Sequence, residues 1–539
     1  MPRSLLSLLG RDSASIPEVF ARRAERSPES TFLIWEGTAW SYRRSLELIS
    51  GFAGFLMRSA RSSGRLRVAT YLRNCPEAMW AWLGTCFAGG VAVPLNRNHK
   101  GTLLAGMVRR SGATVLVTEA EALSELPSPA SLGIELLLLV DTVREAPEFP
   151  IDTVPEAPAI PMLRFADAQD PRAYSSVNLA PTDAACLLYT SGTTGRSKAV
   201  LVPHNQYCRG AGHLVDSFGL RADDVFHNWL PLYHLGGQLH MTMTSVICGG
   251  AVALFPTFSR SRFWTEVRGA GVSVLCGFES ILRFIWSLPR RDSDAGSTLR
   301  IGIFAGIPPD LKRPFEDRFS MRLAENYGMT EADPITHPYP DVEPPDGSCG
   351  LAGRDFEISI LGPDDRPLGP GNLGEIAVRP LAPGVMALGY ESDHDAFRHA
   401  FRSNWFHTGD LGTMDEAGFL HFKGRLGNYI RRRGENVSVA EIEEILAGHE
   451  AVSECAAVAV PSEVGEDEIK LVVVPTADGA ITPSELHAFA ESRMAAFMAP
   501  RYIEFVDALP RGELGKVKLA ELKKLGAHVW DALGWPRPT

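Results

Sequence analysis

No stretch of the 539 residues approaches the roughly 20 consecutive apolar residues that a membrane-crossing helix needs. Leu5–Leu9 is too short for the apolar centre of a secretion signal, and Leu136–Val140 has the length of a strand. Integral membrane association is therefore not expected. Basic residues do not dominate either. Lys and Arg number 53 against 64 Asp and Glu, a net charge of −11, where a nucleic-acid partner calls for a basic face. The eight cysteines (Cys75, Cys86, Cys186, Cys208, Cys248, Cys276, Cys349, Cys455) are scattered, with no close pair at metal-ligand spacing. They read as reduced, mostly buried thiols of a cytoplasmic protein. No internal repeat is visible. A composition 45% hydrophobic and 22% charged is that of a globular chain, long enough for two or more domains.

Within that frame the first half alternates strands and helices. Leu66–Leu72 reads as a strand, Pro76–Ala88 carries helical apolar spacing, and Val91–Leu95 returns to strand, a βαβ unit that predicts a parallel sheet. Thr114–Thr118 and Leu136–Val140 extend it. The Pro-, Ala- and Asp-rich segment 145–181 is expected to cross to a second sheet running to about Glu331. From Gly350 to Phe422, short strands split by Gly and Pro turns predict an antiparallel or barrel-like subdomain. A compact tail follows Gly424, with helices at Glu441–Ala447 and Pro483–Met494 and strands at Glu454–Val460, Ile469–Pro475 and Tyr502–Val506. The expected fold is α/β: a large region, 1–424, of two helix-covered sheets and a small barrel-like subdomain, then a small α+β domain, 425–539.

The most informative stretch is Tyr189-Thr190-Ser191-Gly192-Thr193-Thr194-Gly195-Arg196-Ser197-Lys198, between the apolar runs Ala184–Tyr189 and Ala199–Val202. Glycines let backbone N–H groups turn toward an anion, hydroxyls add donors, and Lys198 adds charge. The pattern suits a triphosphate cradle. It is not a Walker loop, since the spacing is Gly-x-x-Gly-x-x-Lys and no Ser or Thr follows the lysine. The plain alternative is a polar turn between two strands.

This loop resembles the phosphate-binding loop of the adenylate-forming enzymes: acyl- and aryl-CoA synthetases, peptide-synthetase adenylation domains and firefly-type luciferases. Further motifs follow in that family's order, and the resemblance runs from about Ala14 to Leu525. Asn326-Tyr327-Gly328-Met329-Thr330-Glu331 is similar to its Tyr-Gly-x-Thr-Glu motif. The resemblance implies that Thr330 contacts the α-phosphate, Glu331 holds Mg²⁺, and Tyr327 with Asn326 borders adenine. Trp405-Phe406-His407-Thr408-Gly409-Asp410 resembles the Trp-x-x-Thr-Gly-Asp signature, which gives Asp410 the ribose hydroxyls. Arg425 stands where the family places an arginine reaching ribose or phosphate, and Gly306-Ile307-Pro308 where a loop packs on adenine and edges the acyl pocket.

In the tail, Pro510-Arg511-Gly512-Glu513-Leu514-Gly515-Lys516 resembles the loop whose lysine bridges carboxylate and α-phosphate during adenylation. That role falls to Lys516. Arg431-Arg432-Arg433-Gly434-Glu435-Asn436-Val437-Ser438 resembles the CoA-facing loop, in the form of the carnitine-CoA ligase-like branch, with Gly434 leaving room for pantetheine. The arginines either meet the CoA phosphates or form a solvated turn. Departures from the family pattern fall on Ser197, Ala199, Leu514 and the hinge position Gly427, where Asp or Lys is usual; glycine can absorb the backbone change of a rotating lid.

Trp229-Leu230-Pro231-Leu232-Tyr233-His234-Leu235-Gly236-Gly237 resembles the segment lining the acyl tunnel: apolar walls, an imidazole, and two glycines read as leaving substrate volume. His234 is equally readable as a packed core histidine. The Asp with which adenylation domains hold a substrate ammonium is missing, so the acid expected is not an α-amino acid but a bulky apolar or aromatic one. The resemblance implies an ATP-, Mg²⁺- and CoA-dependent acyl-CoA ligase working through an acyl-AMP. The rivals are an enzyme confined to thiol transfer from a supplied adenylate, a ligase loading a carrier protein, and a nucleotide-binding protein without turnover. A homodimer is compatible with the sequence.

Overall fold

The computed structural model describes residues 3–59, 65–141, 160–170, 172, 174–190, 197–339, 342–425, 429–433, 435–462, 465–476, 481–510, 517–524, 526 and 528–534. The chain divides into two compact units. One comprises Met1–Arg97, Gly106–Leu188 and Ala199–Gly424, the other Asn98–Ala105, Tyr189–Lys198 and Arg425–Thr539.

The larger unit is built on two sheets. Arg67–Tyr71, Pro76–Phe87 and Val91–Pro94 form the expected parallel βαβ unit, with Val68 opposite Ala92. Val115–Glu119, Leu136–Val140 and Met162–Arg164 add parallel strands in turn. All of Val115–Glu119 is buried, as fits a strand covered on both faces. Trp82, fully enclosed, lies on the helix Pro76–Phe87, which Pro76 starts without losing a useful N–H.

One expectation is overturned. The strands that follow the segment 145–181 do not open a second sheet. The strands Ala184–Thr190 and Lys198–Pro203, which bracket the Ser- and Gly-rich loop, join the same eight-stranded sheet beside Val91–Pro94. The second sheet instead recruits the N-terminal hairpin Thr31–Trp35 and Thr38–Ser41, with Leu33 opposite Val252. Strand length and hydrophobicity are local properties, whereas the neighbour of a strand is chosen by residues far away in sequence.

The second sheet runs Arg322–Glu325, Ile301–Ala305, Val274–Phe278, Val225–Asn228, Ala251–Leu254, then the hairpin. Its central pairs are parallel. Three motif segments therefore begin at the carboxyl ends of parallel strands of one sheet: Trp229 after Asn228, Gly306 after Ala305, and Asn326 after Glu325. In open α/β sheets this edge is where ligands bind.

Phe356–Leu361, Gly374–Pro380, Phe401–Arg402, Trp405–Met414 and Leu420–Arg425 form the expected antiparallel subdomain. In the smaller unit, Val452–Pro461, Asp467–Pro475, Tyr502–Phe505 and Trp530–Asp531 make a sheet accompanied by the helices Val439–Ala447 and Pro483–Arg493. The latter helix starts at a reciprocal cap between Thr482 and Glu485. Among the described residues no helix is long and apolar enough to cross a membrane.

Candidate active site

Backbone and polar side chains pin the turn after Glu325 from several directions. The Tyr327 N–H donates to Thr336 Oγ1 at 2.9 Å, and the Tyr327 carbonyl accepts from Ile335 and Thr336. Met329 and Ala332 exchange two backbone hydrogen bonds of 2.9 Å. Gln206, on the helix His204–Phe218, donates to the Thr330 carbonyl at 3.0 Å. Glu331 is buried, accepts from the Tyr390 hydroxyl at 2.7 Å, and its carbonyl accepts from the Ala387 N–H at 2.7 Å.

Across from this turn stands Asp410. The Tyr327 hydroxyl donates to Asp410 Oδ2 at 2.6 Å, joining motifs 83 residues apart. Gly409 has φ +76°, which glycine adopts without strain, and its N–H donates to Glu375 at 3.0 Å. Thr408 Oγ1 donates to the Ile376 carbonyl and accepts from the Asp410 N–H. Asp410 is thus aimed by its own strand. Asn326 is buried beside Tyr327, and Thr330 is half-buried.

Gly306, with φ +75°, and Ile307 form the neighbouring loop, and their N–H groups donate to the two carboxylate oxygens of Glu325 at 3.0 and 3.2 Å. Burial pushes the Glu325 carboxyl up to about 7 even though these two N–H groups favour its ionised form.

Trp229 is buried, donates from its indole N–H to the Cys276 carbonyl at 3.1 Å, and packs edge-on to Phe258 and Phe278, ring centres 5.5 and 5.6 Å away. His234 is half-buried against the Tyr233 ring. Of the two glycines, Gly237 departs from expectation. A Cβ on Gly237 would lie 2.6 Å from the Pro231 carbonyl oxygen and 2.7 Å from that of Leu230. Backbone fills the space that was read as substrate volume. A Cβ on Gly236 would meet only the end of the Leu230 side chain, at 3.1 Å.

Thr190 ends its strand and Lys198 begins the next. Ser191, Gly192, Thr193, Thr194, Gly195, Gly427, Gly434 and Lys516 lie outside the described residues, as does the side chain of Arg425. In the smaller unit, Tyr429–Arg432 and Glu435–Ser438 form a hairpin with Arg433 exposed at its tip, φ +54°. Arg432 fits neither reading of the arginine run. It is buried, donates to the Ala499 and Phe497 carbonyls at 2.6 and 3.1 Å, and pairs with Glu468 at 2.6 Å.

Sequence reasoning missed the residues that support these groups: Glu325, Tyr390, Gln206, and Asn74, which donates to the Leu230 carbonyl and accepts from the Leu232 N–H. It also missed a buried pair under the turn, where His240 Nε2 lies 3.0 Å from both Asp333 oxygens. The one legible signal was a charged or amide residue at or shortly after a strand, as at Glu325 and Asn74. Among the described residues no cluster of three or more His, Cys, Asp or Glu could hold a metal. Glu331 supplies one carboxylate, and one carboxylate with phosphate oxygens and waters is a donor set that suits Mg²⁺.

The site thus lies in a fold of two mainly parallel sheets, an antiparallel subdomain and a small α+β unit, with a tyrosine–aspartate contact after the carboxyl edge of the second sheet. Residues 20–390 match the AMP-binding enzyme family model and residues 441–516 that of the AMP-binding enzyme C-terminal domain, and the chain belongs to this family. It is 30% identical over 464 residues to the crotonobetaine/carnitine–CoA ligase of Salmonella arizonae, covering 85% of this chain and 88% of that one. Its fold is similar to the o-succinylbenzoate CoA synthetase of Bacillus subtilis, with a TM-score of 0.78 at 23% identity over 94% of this chain and 98% of that one. An amide bond synthetase from Marinactinospora thermotolerans superposes with a TM-score of 0.78 at 23% identity, covering 94% and 99% of the two chains. The protein is an ATP-dependent, AMP-forming acid–thiol ligase.

Proposed function

We propose that the ligase activates a bulky apolar or aromatic carboxylic acid, not an α-amino acid, and passes it to CoA. In the first half-reaction the carboxylate attacks the α-phosphate and pyrophosphate leaves. In the second the thiol displaces AMP. Asp410 accepts the ribose hydroxyls, Tyr327 and Asn326 border the base with Gly306 and Ile307, and Thr330 holds the α-phosphate. Thr190, the Ser191–Gly195 loop and Lys198 cradle the outer phosphates. Glu331 is the residue that would hold Mg²⁺, whose chemistry when bound is to neutralise phosphate charge. Lys516 carries the charge needed between carboxylate and α-phosphate, where oriented groups lower the barrier most. Residues 425–539 act as the lid that presents Lys516, with Gly427 as its hinge, and then Arg433, Gly434 and Glu435 toward CoA.

The observation that carries this reading is the 2.6 Å hydrogen bond from Tyr327 to Asp410, which brings together the two motifs to which we assign the base and the ribose. The aromatic group of Trp229, Phe258 and Phe278 supports an apolar acid, and His234, Gly236 and Ile307 are assigned to the same acyl pocket. Mass spectrometry of products from a panel of aromatic and branched acids, with carnitine and crotonobetaine included, tests the substrate in the presence of ATP, Mg²⁺ and CoA. The expected product is an aryl- or branched acyl-CoA with AMP. Thioesters of carnitine or crotonobetaine alone would overturn the proposed acid. Lys516→Ala is expected to abolish acyl-AMP formation and to spare thioester formation from a supplied adenylate; equal loss of both refutes the assignment of Lys516.

A further inference from the structure

A lysine is enclosed in the sheet of the smaller unit. Along Asp467–Pro475 the side chains alternate between two faces. Ile469, Leu471 and Val473 enter the core shared with the helices Val439–Ala447 and Pro483–Arg493. Val472 enters a second core on the opposite face, with Ala456, Val458, Leu509 and Leu522. Lys470 falls on that second face and is only 1% exposed. A buried ammonium is costly unless each of its three N–H donors finds an acceptor. Here Nζ donates to the Leu522 carbonyl at 2.8 Å and to the Lys524 carbonyl at 2.5 Å, and it pairs with Glu504 at 2.6 Å, so no donor is left over.

Both carbonyls belong to the stretch of chain just past Lys516. Leu522 ends the short helix Leu519–Leu522, whose last carbonyls have no partner within the helix. A cation at that end satisfies them and suits the helix dipole. Lys518 donates its N–H to the carbonyl of Pro510, the residue that opens the Lys516 motif, at 2.8 Å. Leu509 and Leu522, on either side of the motif, are buried in the same core. Lys470 and Glu504 come from the adjacent parallel strands Asp467–Pro475 and Tyr502–Phe505, with Lys470 opposite Tyr502. The anchor is thus a sheet, and what it grips is the downstream end of the lysine motif.

We propose that Lys470 is a positioning residue for adenylation: its ammonium, balanced by Glu504, fixes the chain at Leu522 and Lys524 to the sheet and so sets where Lys516 stands. The inference rests on the reading of Lys516 as the lysine between carboxylate and α-phosphate. Lys470→Met keeps a long side chain but removes the charge and all three donors. Pyrophosphate exchange, which follows acyl-AMP formation, is expected to fall about 10²-fold, the cost of displacing an oriented group by roughly 1 Å. Thioester formation from a supplied acyl-adenylate makes no use of Lys516 and is expected to stay within about twofold. Hydrogen exchange is expected to quicken at residues 517–524 and to stay unchanged along Asp467–Pro475.

Glu504→Gln still accepts from the ammonium but withdraws its counter-charge, and a milder loss of about tenfold is expected, confined to the same half-reaction. An equal fall in both half-reactions overturns the proposal, since a merely structural lysine would spare neither. Undiminished pyrophosphate exchange in Lys470→Met overturns it as well. Should Lys470→Met not fold, the same two outcomes in Glu504→Gln decide. Lys516→Ala run alongside separates the two possible failures. If it retains acyl-AMP formation, the reading of Lys516 falls and this inference with it. If it loses that step while Lys470→Met keeps it, Lys516 stands and Lys470 has no part in placing it.

Discussion

The turn 326–333 and the segment 229–237 sit at the same carboxyl edge of one sheet, both look motif-like, and both contain glycine, yet they are held by different physics. Polar groups brought from elsewhere hold the turn: Thr336, Gln206, Tyr390, and beneath it His240 against Asp333. Burial alone would depress the His240 imidazole, but the Asp333 carboxylate overrides it and lifts the pKa to about 10. Apolar burial and carbonyls satisfied by amides hold the segment: Asn74 on Leu230, Gln238 on Leu232 and Asn228 on Gly237. The difference teaches where a fault would tell. Damage to the turn disturbs charge, and damage to the segment disturbs packing.

Asp333→Ala should test the contrast most severely. It removes the carboxylate that keeps the buried His240 charged, so the imidazole reverts to its neutral form, and losing such a pair costs about 3–5 kcal/mol. Urea unfolding at pH 7 is expected to show that loss. The sign with pH follows from the raised pKa: the pair's contribution is complete below the unfolded imidazole value of about 6.5 and is lost as pH rises through about 10. A loss well under 1 kcal/mol would mean that the turn is not held by charge.

Glu331→Gln comes next. It removes one negative charge where we place Mg²⁺ and the phosphates, and pyrophosphate exchange is expected to slow about 10²-fold, of the order seen when a single electrostatic group is lost. Stability should change little, because the amide can still accept from Tyr390. Undiminished exchange would remove Glu331 from the chemistry.

Within the segment, two adjacent glycines should respond unequally. Gly237→Ala forces a methyl against the Leu230 and Pro231 carbonyls and should destabilise by about 1–3 kcal/mol. Gly236→Ala meets only the mobile end of Leu230, and its cost is offset by a helix-propensity gain of up to about 1 kcal/mol. Thermal unfolding of the pair decides the point, and equal shifts would erase the distinction between backbone and side-chain neighbours.

Much of this was legible in the order of residues. The strands around Leu66–Leu72 and Leu136–Val140 appeared within a residue or two of the apolar runs, as did the helix after Pro76. Hydrophobic run length and a first-turn proline act over a few residues, so they read directly. The motifs could be picked out as well, since hydroxyls, carboxylates and a lysine keep their character in any fold, and the roles given to them are what we propose. The sheet that receives Ala184–Thr190, the backbone pressed against Gly237, the burial of Arg432 and the grip of Glu325 on Gly306 were not readable. Each depends on a partner at long range: Arg432 is one of three consecutive arginines, and the carbonyls of Phe497 and Ala499 together with Glu468 set it apart. The chain order by itself determined which elements form and which reactive groups exist, because propensity and side-chain chemistry are local. Only the tertiary structure decided which groups meet, because closing Tyr327 onto Asp410 joins a turn and a strand 83 residues apart.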